Sequence, residues 1–164
     1  MRHGKAEDPS ADTNYADRPR RLTSEGISNV KAMIPALKRI DMIPDRILSS
    51  PYPRASETAQ IIHKGLNVRQ ALEFTDALCA DQSIIPFFQE ELPQLLDASE
   101  RLMVVGHEPC LSQLASLLVS GRLDVRFQLK KAGIIQLSCL ARGNVCHGIL
   151  KSHWTSKQLR SLVL

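Results

Sequence analysis

The feature that most constrains the fold is the stretch 102–105, Leu-Met-Val-Val, which runs directly into Gly-His-Glu-Pro. A strand that is apolar on both faces is typical of a parallel sheet covered by helices on both sides. The residues that follow carry apolar side chains at helical spacing, among them Leu111, Leu114 and Leu118. We therefore predict a buried strand, a short loop and a helix, with Pro109 in the first helical turn.

A second strand–loop–helix unit precedes it. Residues 46–50 read as a short buried strand that Pro51 and Pro53 end, and a helix is predicted to begin near Arg54. Upstream, residues 5–21 are polar and are predicted to form a loop.

The first helix is predicted to start after Thr23 or Ser24, either of which is a good N-cap. Apolar residues at helical spacing continue to Ile40, and Pro35 lies inside the pattern. Because proline cannot donate the helical hydrogen bond, we expect Pro35 to kink or shorten this helix.

The remaining segments complete the architecture. Residues 72–74 indicate a brief strand, and residues 81–96 have helical apolar spacing interrupted by two prolines. Residues 132–140 and 145–150 are predicted to be two strands joined by a turn at 142–144, followed by a short polar helix. This order predicts an α/β fold: a three-layer α/β/α sandwich with a mostly parallel sheet and a C-terminal β-hairpin, as one domain over residues 1–164.

Composition narrows the classes of partner. The net charge is mildly basic at +4, yet only 4% of residues are aromatic, so few rings are present to stack on nucleotide bases. The charge therefore favours a small anionic site and argues against a nucleic-acid groove. Without an apolar run of membrane-spanning length or a signal-peptide pattern, no membrane partner and a cytoplasmic location are expected. The oligomeric state stays open.

The cysteines and nearby histidines raise the question of whether the chain binds a metal ion. The four of them show no Cys-x-x-Cys spacing, so reduced and mostly buried thiols are expected. Cys139, Cys146, His147 and His153 lie close together in the sequence, which raises a zinc site as an alternative. A strand alternation through this region explains their spacing without a metal, so neither a metal nor another cofactor is predicted. His63, His147 and His153 are interpreted as ordinary surface or packing residues.

Two basic residues are predicted to meet at one edge of the sheet. Arg54 and His107 each follow a strand and lie at the start of a helix. Ligands of parallel sheets bind beyond the carboxyl ends of strands, where helix N-termini also favour an anion.

The first residues of the chain add a third motif, Arg2-His3-Gly4. It places a planar cation suited to two phosphate oxygens beside a side chain that is nucleophilic near neutral pH. Gly4, lacking a side chain, is expected to let an anion approach the backbone. Two histidines and two arginines at one site indicate phosphoryl transfer through a phosphohistidine, with the cations neutralising the phosphoryl oxygens.

These motifs resemble those of the histidine phosphatase superfamily, the phosphoglycerate-mutase-like group with an Arg-His-Gly signature. The resemblance rests on residues 2–4, 18–26, 49–61 and 104–109, and the short chain is most similar to the small SixA-type phosphohistidine phosphatases. It implies His3 as the nucleophile and Arg2 and Arg54 as phosphate ligands. It also implies that His107 is a second catalytic histidine, which donates to the phosphoryl group. The implied substrate is a phosphohistidine-bearing protein in signalling or phosphotransfer, or a small phosphorylated molecule.

The sequence departs from the family pattern in two respects, and each departure leads to an expectation. In the family an apolar central strand directly precedes the Arg-His-Gly motif, whereas here only Met1 does, so the first strand is expected to be truncated. A start site further upstream is the favoured explanation, and without that strand His3 is expected to lie on a frayed terminus.

The second departure concerns the general acid. Glu73, Asp76 and Asp81 are the candidates, and none matches the family pattern well. An imidazole leaving group needs less acid catalysis than an alkoxide, which favours a nitrogen–phosphorus bond as the substrate. A small-molecule phosphomonoesterase and a phosphate-binding pseudo-enzyme without turnover are the alternatives.

Overall fold

The computed structural model describes residues 1–8, 18–143 and 145–163. The strands are β1 Arg46–Ser49, β2 Glu73–Phe74, β3 Leu102–Val105, β4 Ile134–Arg142 and β5 Val145–Trp154. The α-helices are α1 Ser24–Arg39, α2 Pro53–Leu66, α3 Ile84–Pro86, α4 Leu92–Asp97, α5 Cys110–Ser120 and α6 Ser156–Ser161. A 3₁₀ turn at Asp76–Leu78 and a π-helical turn at Phe87–Glu91 complete them.

The strand–helix units form a parallel sheet in the order β2-β1-β3, which confirms the predicted α/β class. β1 and β3 pair over their full length, from Arg46 opposite Leu102 to Ser49 opposite Val105. Parallel strands end at the same edge of a sheet, so the residues after β1 and β3 lie side by side. This edge is where Arg54 and His107 were predicted to meet.

The C-terminal hairpin is also confirmed. β4 and β5 pair in an antiparallel sheet of their own, from Ile134 opposite Trp154 to Arg142 opposite Val145. β5 continues four residues past its predicted end because its C-terminal half pairs with the start of β4. Of the predicted turn, Gly143 has a positive φ of 57°, and position 144 lies outside the described residues.

Side chains of β1 and β3 alternate between two apolar layers. Ile47, Met103 and Val105 pack with α1, α2 and α6, whereas Leu48, Leu102 and Val104 pack with α4 and α5. Helices thus cover both faces of the sheet, as the uninterrupted apolar sequence of β3 predicts. The three-layer arrangement follows from this alternation.

Helix α1 begins as predicted and ends later than Pro35 suggested. The Thr23 hydroxyl accepts a hydrogen bond from the Gly26 amide at 3.0 Å, which makes Thr23 the N-cap. The helix continues through Pro35 to Arg39, since Met33, Ala36 and Leu37 bury the inner face on both sides of the proline. Gly26 is required here, because a Cβ atom would lie 2.0 Å from the Lys5 carbonyl oxygen.

Two other predicted elements are less regular or less complete. The helical stretch predicted at 81–96 is divided into α3, the π-helical turn and α4, so its regularity is limited as the two prolines indicated. Of the predicted loop 5–21, residues 9–17 lie outside the described part of the chain. Among the described helices, none combines the length and apolar character that crossing a bilayer requires.

Residues 1–3 lie between the two sheets and hydrogen-bond to both. On one side the Met1 amino group donates to the Val104 carbonyl at 2.7 Å, and the Gly106 amide donates to the Met1 carbonyl at 3.2 Å. On the other side the Arg2 amide donates to the Gly133 carbonyl at 3.0 Å. The expectation of a frayed terminus is therefore wrong in this structure, because neighbours on both sides bind these backbone groups.

Candidate active site

The two histidines predicted as catalytic lie together. His3 follows the extended residues 1–2, His107 follows β3 and Gly106, and their ring centroids are 5.1 Å apart. Both are buried, with 6% of His3 and 2% of His107 exposed. The His3 amide donates to the Gly106 carbonyl at 3.1 Å, so the residue before His107 fixes the backbone of His3.

Arg54 and Arg2 approach this pair from different elements. Arg54, in the first turn of α2, is 2% exposed, and its guanidinium carbon lies 5.4 Å from the centre of the Tyr52 ring. The same ring lies 5.3 Å from the His107 ring, so Tyr52 contacts both an arginine and a histidine of the site. Arg2 donates from Nη1 to the Leu129 carbonyl at 2.9 Å, while its buried Nε has no hydrogen-bond partner among the described residues.

Hydrogen bonds orient the ring of each histidine. Nδ1 of His3 lies 2.7 Å from the Gly4 carbonyl oxygen, which can only accept, so Nδ1 carries the proton and Nε2 keeps its lone pair. Nε2 of His107 lies 3.0 Å from the hydroxyl of Ser50, which is fully buried at the end of β1. The tautomer of His3 is the one that a nucleophilic imidazole requires.

Helix α2 also fixes the backbone that carries His3. The Gly4 amide donates to the Thr58 hydroxyl at 3.0 Å, and this hydroxyl donates to the Arg54 carbonyl at 2.7 Å. One turn of α2 thus connects Arg54 to the Arg2-His3-Gly4 segment. The expected role of Gly4 is corrected: an added Cβ would point at Val30 and Leu22, 3.0 and 3.1 Å away, so its missing side chain allows packing against α1.

The site is electrostatically suited to a neutral imidazole. The pKa of His3 is lowered to about 4, mainly by burial and also by the nearby cations of Arg54, Arg2 and Arg20, against the raising effect of the Gly4 carbonyl. A histidine with such a pKa is unprotonated at pH 7 and is available as a nucleophile. The arginines that disfavour its protonation are charges of the sign that attracts a phosphoryl group.

The carboxylates named as general-acid candidates are engaged elsewhere. Glu73 binds Arg46 through two hydrogen bonds of 2.7 and 2.8 Å, at the opposite end of β1 from Ser50, and the hydrogen bond from Arg46 lowers the pKa of Glu73. Asp76 is exposed and accepts a weak contact from the Cys79 thiol at 3.8 Å.

Asp81 lies nearest to the site and is held by two donors. It accepts from the Tyr52 hydroxyl at 2.8 Å and from Arg18 at 2.6 Å, and these hydrogen bonds lower its pKa. A carboxyl group with a lowered pKa is ionised at neutral pH and has no proton to donate.

Sequence reasoning missed several residues that shape the site. Ser50 and Tyr52 contact His107, Tyr52 also contacts Arg54, and Thr58 binds the backbone of Gly4 and Arg54. A serine, a tyrosine or a threonine at a strand end or in a helix has many common roles, so no sequence signal singled them out. Arg18 and Arg20 lie in the stretch 18–26 that supports the family resemblance, although no role was assigned to them. Arg18 places its guanidinium carbon 5.6 Å from the Tyr52 ring centre.

The residues of the zinc alternative do not assemble a metal site. Across residues 1–8, 18–143 and 145–163, no three or more histidine, cysteine, aspartate or glutamate side chains are grouped to hold a metal ion. Cys139 and Cys146 lie on paired strands of the hairpin, as the alternating pattern indicated, and burial raises the pKa of both thiols. His63, on α2, lies with Nε2 2.8 Å from the Gln70 carbonyl oxygen.

The arrangement is suited to in-line phosphoryl transfer. A neutral imidazole, a second buried histidine and two arginines converge where the carboxyl ends of β1 and β3 meet the N-terminus of α2. A phosphoryl group bound there would meet the lone pair of His3 Nε2 and cations for its other oxygens.

Comparison with known proteins agrees with this geometry. The family described as "Histidine phosphatase superfamily (branch 1)" matches residues 1–79. An uncharacterized protein of Picosynechococcus sp. is 32% identical over 139 residues, covering 84% of this chain and 81% of that protein. The phosphohistidine phosphatase SixA of Escherichia coli K12 is 29% identical over 129 residues, covering 77% of this chain and 76% of that protein.

Solved structures show the same fold. The protein histidine phosphatase SixA complexed with tungstate superposes with a TM-score of 0.81 at 24% identity, covering 97% of this chain and 96% of that chain. A putative alpha-ribazole-5'-P phosphatase of Escherichia coli has a TM-score of 0.66 at 17% identity, with 95% of each chain covered. Together with the sequence matches, these findings show that the chain belongs to the histidine phosphatase superfamily.

Proposed function

We propose that this member of the histidine phosphatase superfamily is a phosphohistidine phosphatase that acts without a metal. In the proposed reaction His3 is the nucleophile, Arg2 and Arg54 bind the phosphoryl oxygens, and His107 donates to the phosphoryl group. The substrate is a phosphohistidine on a signalling or phosphotransfer protein. Two observations support this proposal: the His3 imidazole is neutral at pH 7, and the Asp81 carboxylate is ionised.

In the first step Nε2 of His3 attacks phosphorus and the nitrogen–phosphorus bond of the substrate breaks. The electron pair of that bond goes to the leaving imidazole, which departs neutral because its other nitrogen already carries a proton. The positive charges of Arg2, Arg54 and a protonated His107 stabilise the three equatorial oxygens of the transferring group.

In the second step water attacks the phosphorus bound to His3. The bond between phosphorus and Nε2 breaks, the electron pair returns to the imidazole, and the proton lost by water leaves with inorganic phosphate or solvent. The hydrogen bond from Nδ1 to the Gly4 carbonyl keeps the ring in position through both steps.

The observation that carries the choice of substrate is the pairing of Asp81 with Tyr52 and Arg18. An alkoxide leaving group needs a proton from the enzyme, and the ionised Asp81 does not supply one. An imidazole that already carries its proton leaves without this help. The geometry therefore favours a nitrogen–phosphorus substrate over a phosphate ester.

The deciding experiment compares release of inorganic phosphate from a histidine-phosphorylated phosphotransfer domain with release from a panel of phosphate monoesters. We expect kcat/KM for the phosphoprotein to exceed that for every ester. Trapping of phosphate on His3 is measured in the same samples by mass spectrometry at alkaline pH.

The alternatives predict different results. Faster hydrolysis of an ester would identify a small-molecule phosphomonoesterase with the same covalent step. Phosphate binding without turnover and without phosphorylated His3 would identify a non-catalytic binding protein.

A further inference from the structure

Tyr52 contacts two of the groups that are proposed to bind the phosphoryl group. Its ring is buried, and the ring centre lies 5.4 Å from the Arg54 guanidinium carbon and 5.3 Å from the centre of the His107 ring. We propose that Tyr52 is a positioning residue for Arg54 and His107, and that Asp81 fixes its ring through the phenolic hydroxyl. This role rests on the proposed function, in which Arg54 and His107 bind the phosphoryl group.

Local structure fixes the backbone of Tyr52. Pro51 and Pro53 flank it, and each proline restricts its own φ and the conformation of the residue before it. The Tyr52 carbonyl accepts from the Ala55 and Ser56 amides at 2.9 and 3.0 Å, as expected of the N-cap residue of α2. With the Cα atom fixed in this way, two side-chain torsions decide where the ring lies.

Asp81 holds the far end of the ring. The Tyr52 hydroxyl donates to Oδ1 of Asp81 at 2.8 Å, and Arg18 donates to Oδ2 at 2.6 Å. Burial and the hydrogen bond to Asp81 raise the pKa of Tyr52, so the hydroxyl stays a donor around neutral pH. Asp81 lies on a turn in which the Gln82 amide donates to the Cys79 carbonyl at 3.2 Å. The acceptor is therefore held by the backbone as well as by Arg18.

The position of the ring bears on both phosphoryl ligands. The planar fork of an arginine binds two oxygens only when the guanidinium plane is correctly oriented. A cation within about 6 Å of an aromatic centroid is attracted to the ring, so Tyr52 restricts the orientations of the Arg54 guanidinium. The ring also packs against the His107 imidazole. Because misplacement of a catalytic group by about 1 Å can cost on the order of 10²-fold in rate, loosening of this ring should lower activity.

Two substitutions of Asp81 isolate its hydrogen bond with Tyr52. Asp81→Asn and Asp81→Ala remove the same negative charge, but asparagine keeps an oxygen that accepts from the hydroxyl. The measured quantity is kcat/KM for a histidine-phosphorylated phosphotransfer domain. We expect it to fall about fivefold in Asp81→Ala and in Tyr52→Phe, as for the loss of one hydrogen bond, and less than twofold in Asp81→Asn.

The double variant Tyr52→Phe/Asp81→Ala distinguishes a positioning role from a direct one. If Asp81 acts only through the Tyr52 hydroxyl, the double variant should be within twofold of Asp81→Ala. If the carboxylate touched the substrate, the two losses would multiply. Glu73→Ala is the matched control, because it removes a carboxylate that is paired with Arg46 at the start of β1, and it should change kcat/KM less than twofold.

Binding of inorganic phosphate, measured by calorimetry, requires no turnover. Tyr52→Leu removes the aromatic ring and should weaken phosphate binding on the order of tenfold. Asp81→Ala should bind phosphate more weakly than Asp81→Asn, although both lack the charge. Their thermal midpoints should agree within about 2 °C, since exposed ion pairs contribute little to stability. A difference in phosphate affinity at equal stability is not expected from a merely structural residue.

Three results would overturn the positioning role and leave the proposed function intact. They are wild-type activity of Tyr52→Phe and Asp81→Ala, equal losses in Asp81→Asn and Asp81→Ala, and losses that multiply in the double variant. If the chain hydrolysed no phosphohistidine, the proposed function would fail, and the phosphate affinities would still decide the positioning role. Unchanged phosphate binding in Tyr52→Leu would then refute it, and the expected order of affinities would support it.

Discussion

The candidate active site has two halves, one around His107 and one around His3, and regular secondary structure positions only the first. His107 follows β3, which pairs with β1 over four residues in register. His3 follows two extended residues that hydrogen-bond to Gly106, Val104 and Gly133 without forming a strand of their own. The hydrogen-bond ladder between β1 and β3 therefore positions the His107 half, whereas a few individual hydrogen bonds position the His3 half. We expect the His3 half to be more sensitive to the loss of any one contact.

The largest effect is expected from His3→Ala. Removal of the proposed nucleophile should lower turnover on the order of 10³-fold or more and abolish covalent phosphate. Steady-state kinetics and intact-protein mass spectrometry measure both. His63→Ala, which removes a histidine outside the site, is the matched control and should keep wild-type rates. Residual turnover of His3→Ala within tenfold of wild type would rule out the assigned role.

Arg54 lies in the first turn of α2, directly after β1, and tests the proposed binding of the phosphoryl group. Arg54→Ala removes the proposed charge-assisted contacts to the phosphoryl oxygens and should lower kcat/KM on the order of 10²-fold. Arg54→Lys should remain poor, because a point charge does not reproduce the planar fork. Arg46→Lys changes an arginine paired with Glu73 away from the site and should retain wild-type activity. Full activity of Arg54→Lys would show that charge alone is sufficient.

The sequence predicted the ladder-held half well and the other half only in outline. Four consecutive apolar residues in β3 and a short strand before Arg54 that prolines end are local sequence signals, so the positions of Arg54 and His107 at one edge could be predicted. Residues 1–4 are too few to show a period, and the partners of Arg2 and Gly4, which are Gly133 and Thr58, are distant in the sequence. Contacts of this kind depend on tertiary packing, which no local pattern encodes.

The contacts of Asp81 with Arg18 and Tyr52 beside the site could not be predicted either. Asp81 was a general-acid candidate by position, and only the fold places Arg18 and Tyr52 against it. Charged residues in a polar loop have no pattern that identifies their partners, because solvent and several neighbours compete for each of them. The choice between an acid and an ionised carboxylate therefore required the structure.

The pH dependence of activity tests the environment of His3. Its pKa of about 4 lies below the ordinary value of 6.5, and the protonated ring is not a nucleophile. At pH 5 about 90% of His3 should be unprotonated, against about 3% for an unshifted histidine, a roughly 30-fold difference in active enzyme. The profile of kcat/KM, corrected for spontaneous hydrolysis of the substrate, should stay high down to pH 5. An acidic limb near pH 6.5 would contradict the shift.

The lowered pKa of His3 should also make the stability of the fold depend on pH. The folded pKa of about 4 lies below the ordinary value of 6.5. Between pH 6.5 and pH 4 the unfolded chain therefore binds more protons, so the free energy of unfolding should fall as the pH decreases through this range. Urea titrations measure this, and His3→Ala should remove the part of the slope between pH 6.5 and 4.

The smallest and most specific effects come from removing one hydroxyl group in each half. Thr58→Val removes the hydroxyl that accepts from the Gly4 amide and donates to the Arg54 carbonyl. Ser50→Ala removes the hydroxyl beside Nε2 of His107. Each lost hydrogen bond should cost about 1 kcal/mol. Its effect on stability and activity depends on which other contacts fix the same backbone.

Because the pairing of β3 with β1 fixes the backbone of His107, Ser50→Ala should lower kcat up to roughly tenfold through the orientation of the ring and should lower the thermal midpoint less than Thr58→Val does. Thr58→Val should lower both the thermal midpoint and kcat, because the Gly4 amide that adjoins His3 is left buried without its partner. Calorimetry and kinetics on the two variants and the double variant measure the difference. If Ser50→Ala destabilised the protein more than Thr58→Val, the greater dependence of the His3 half on single contacts would be refuted.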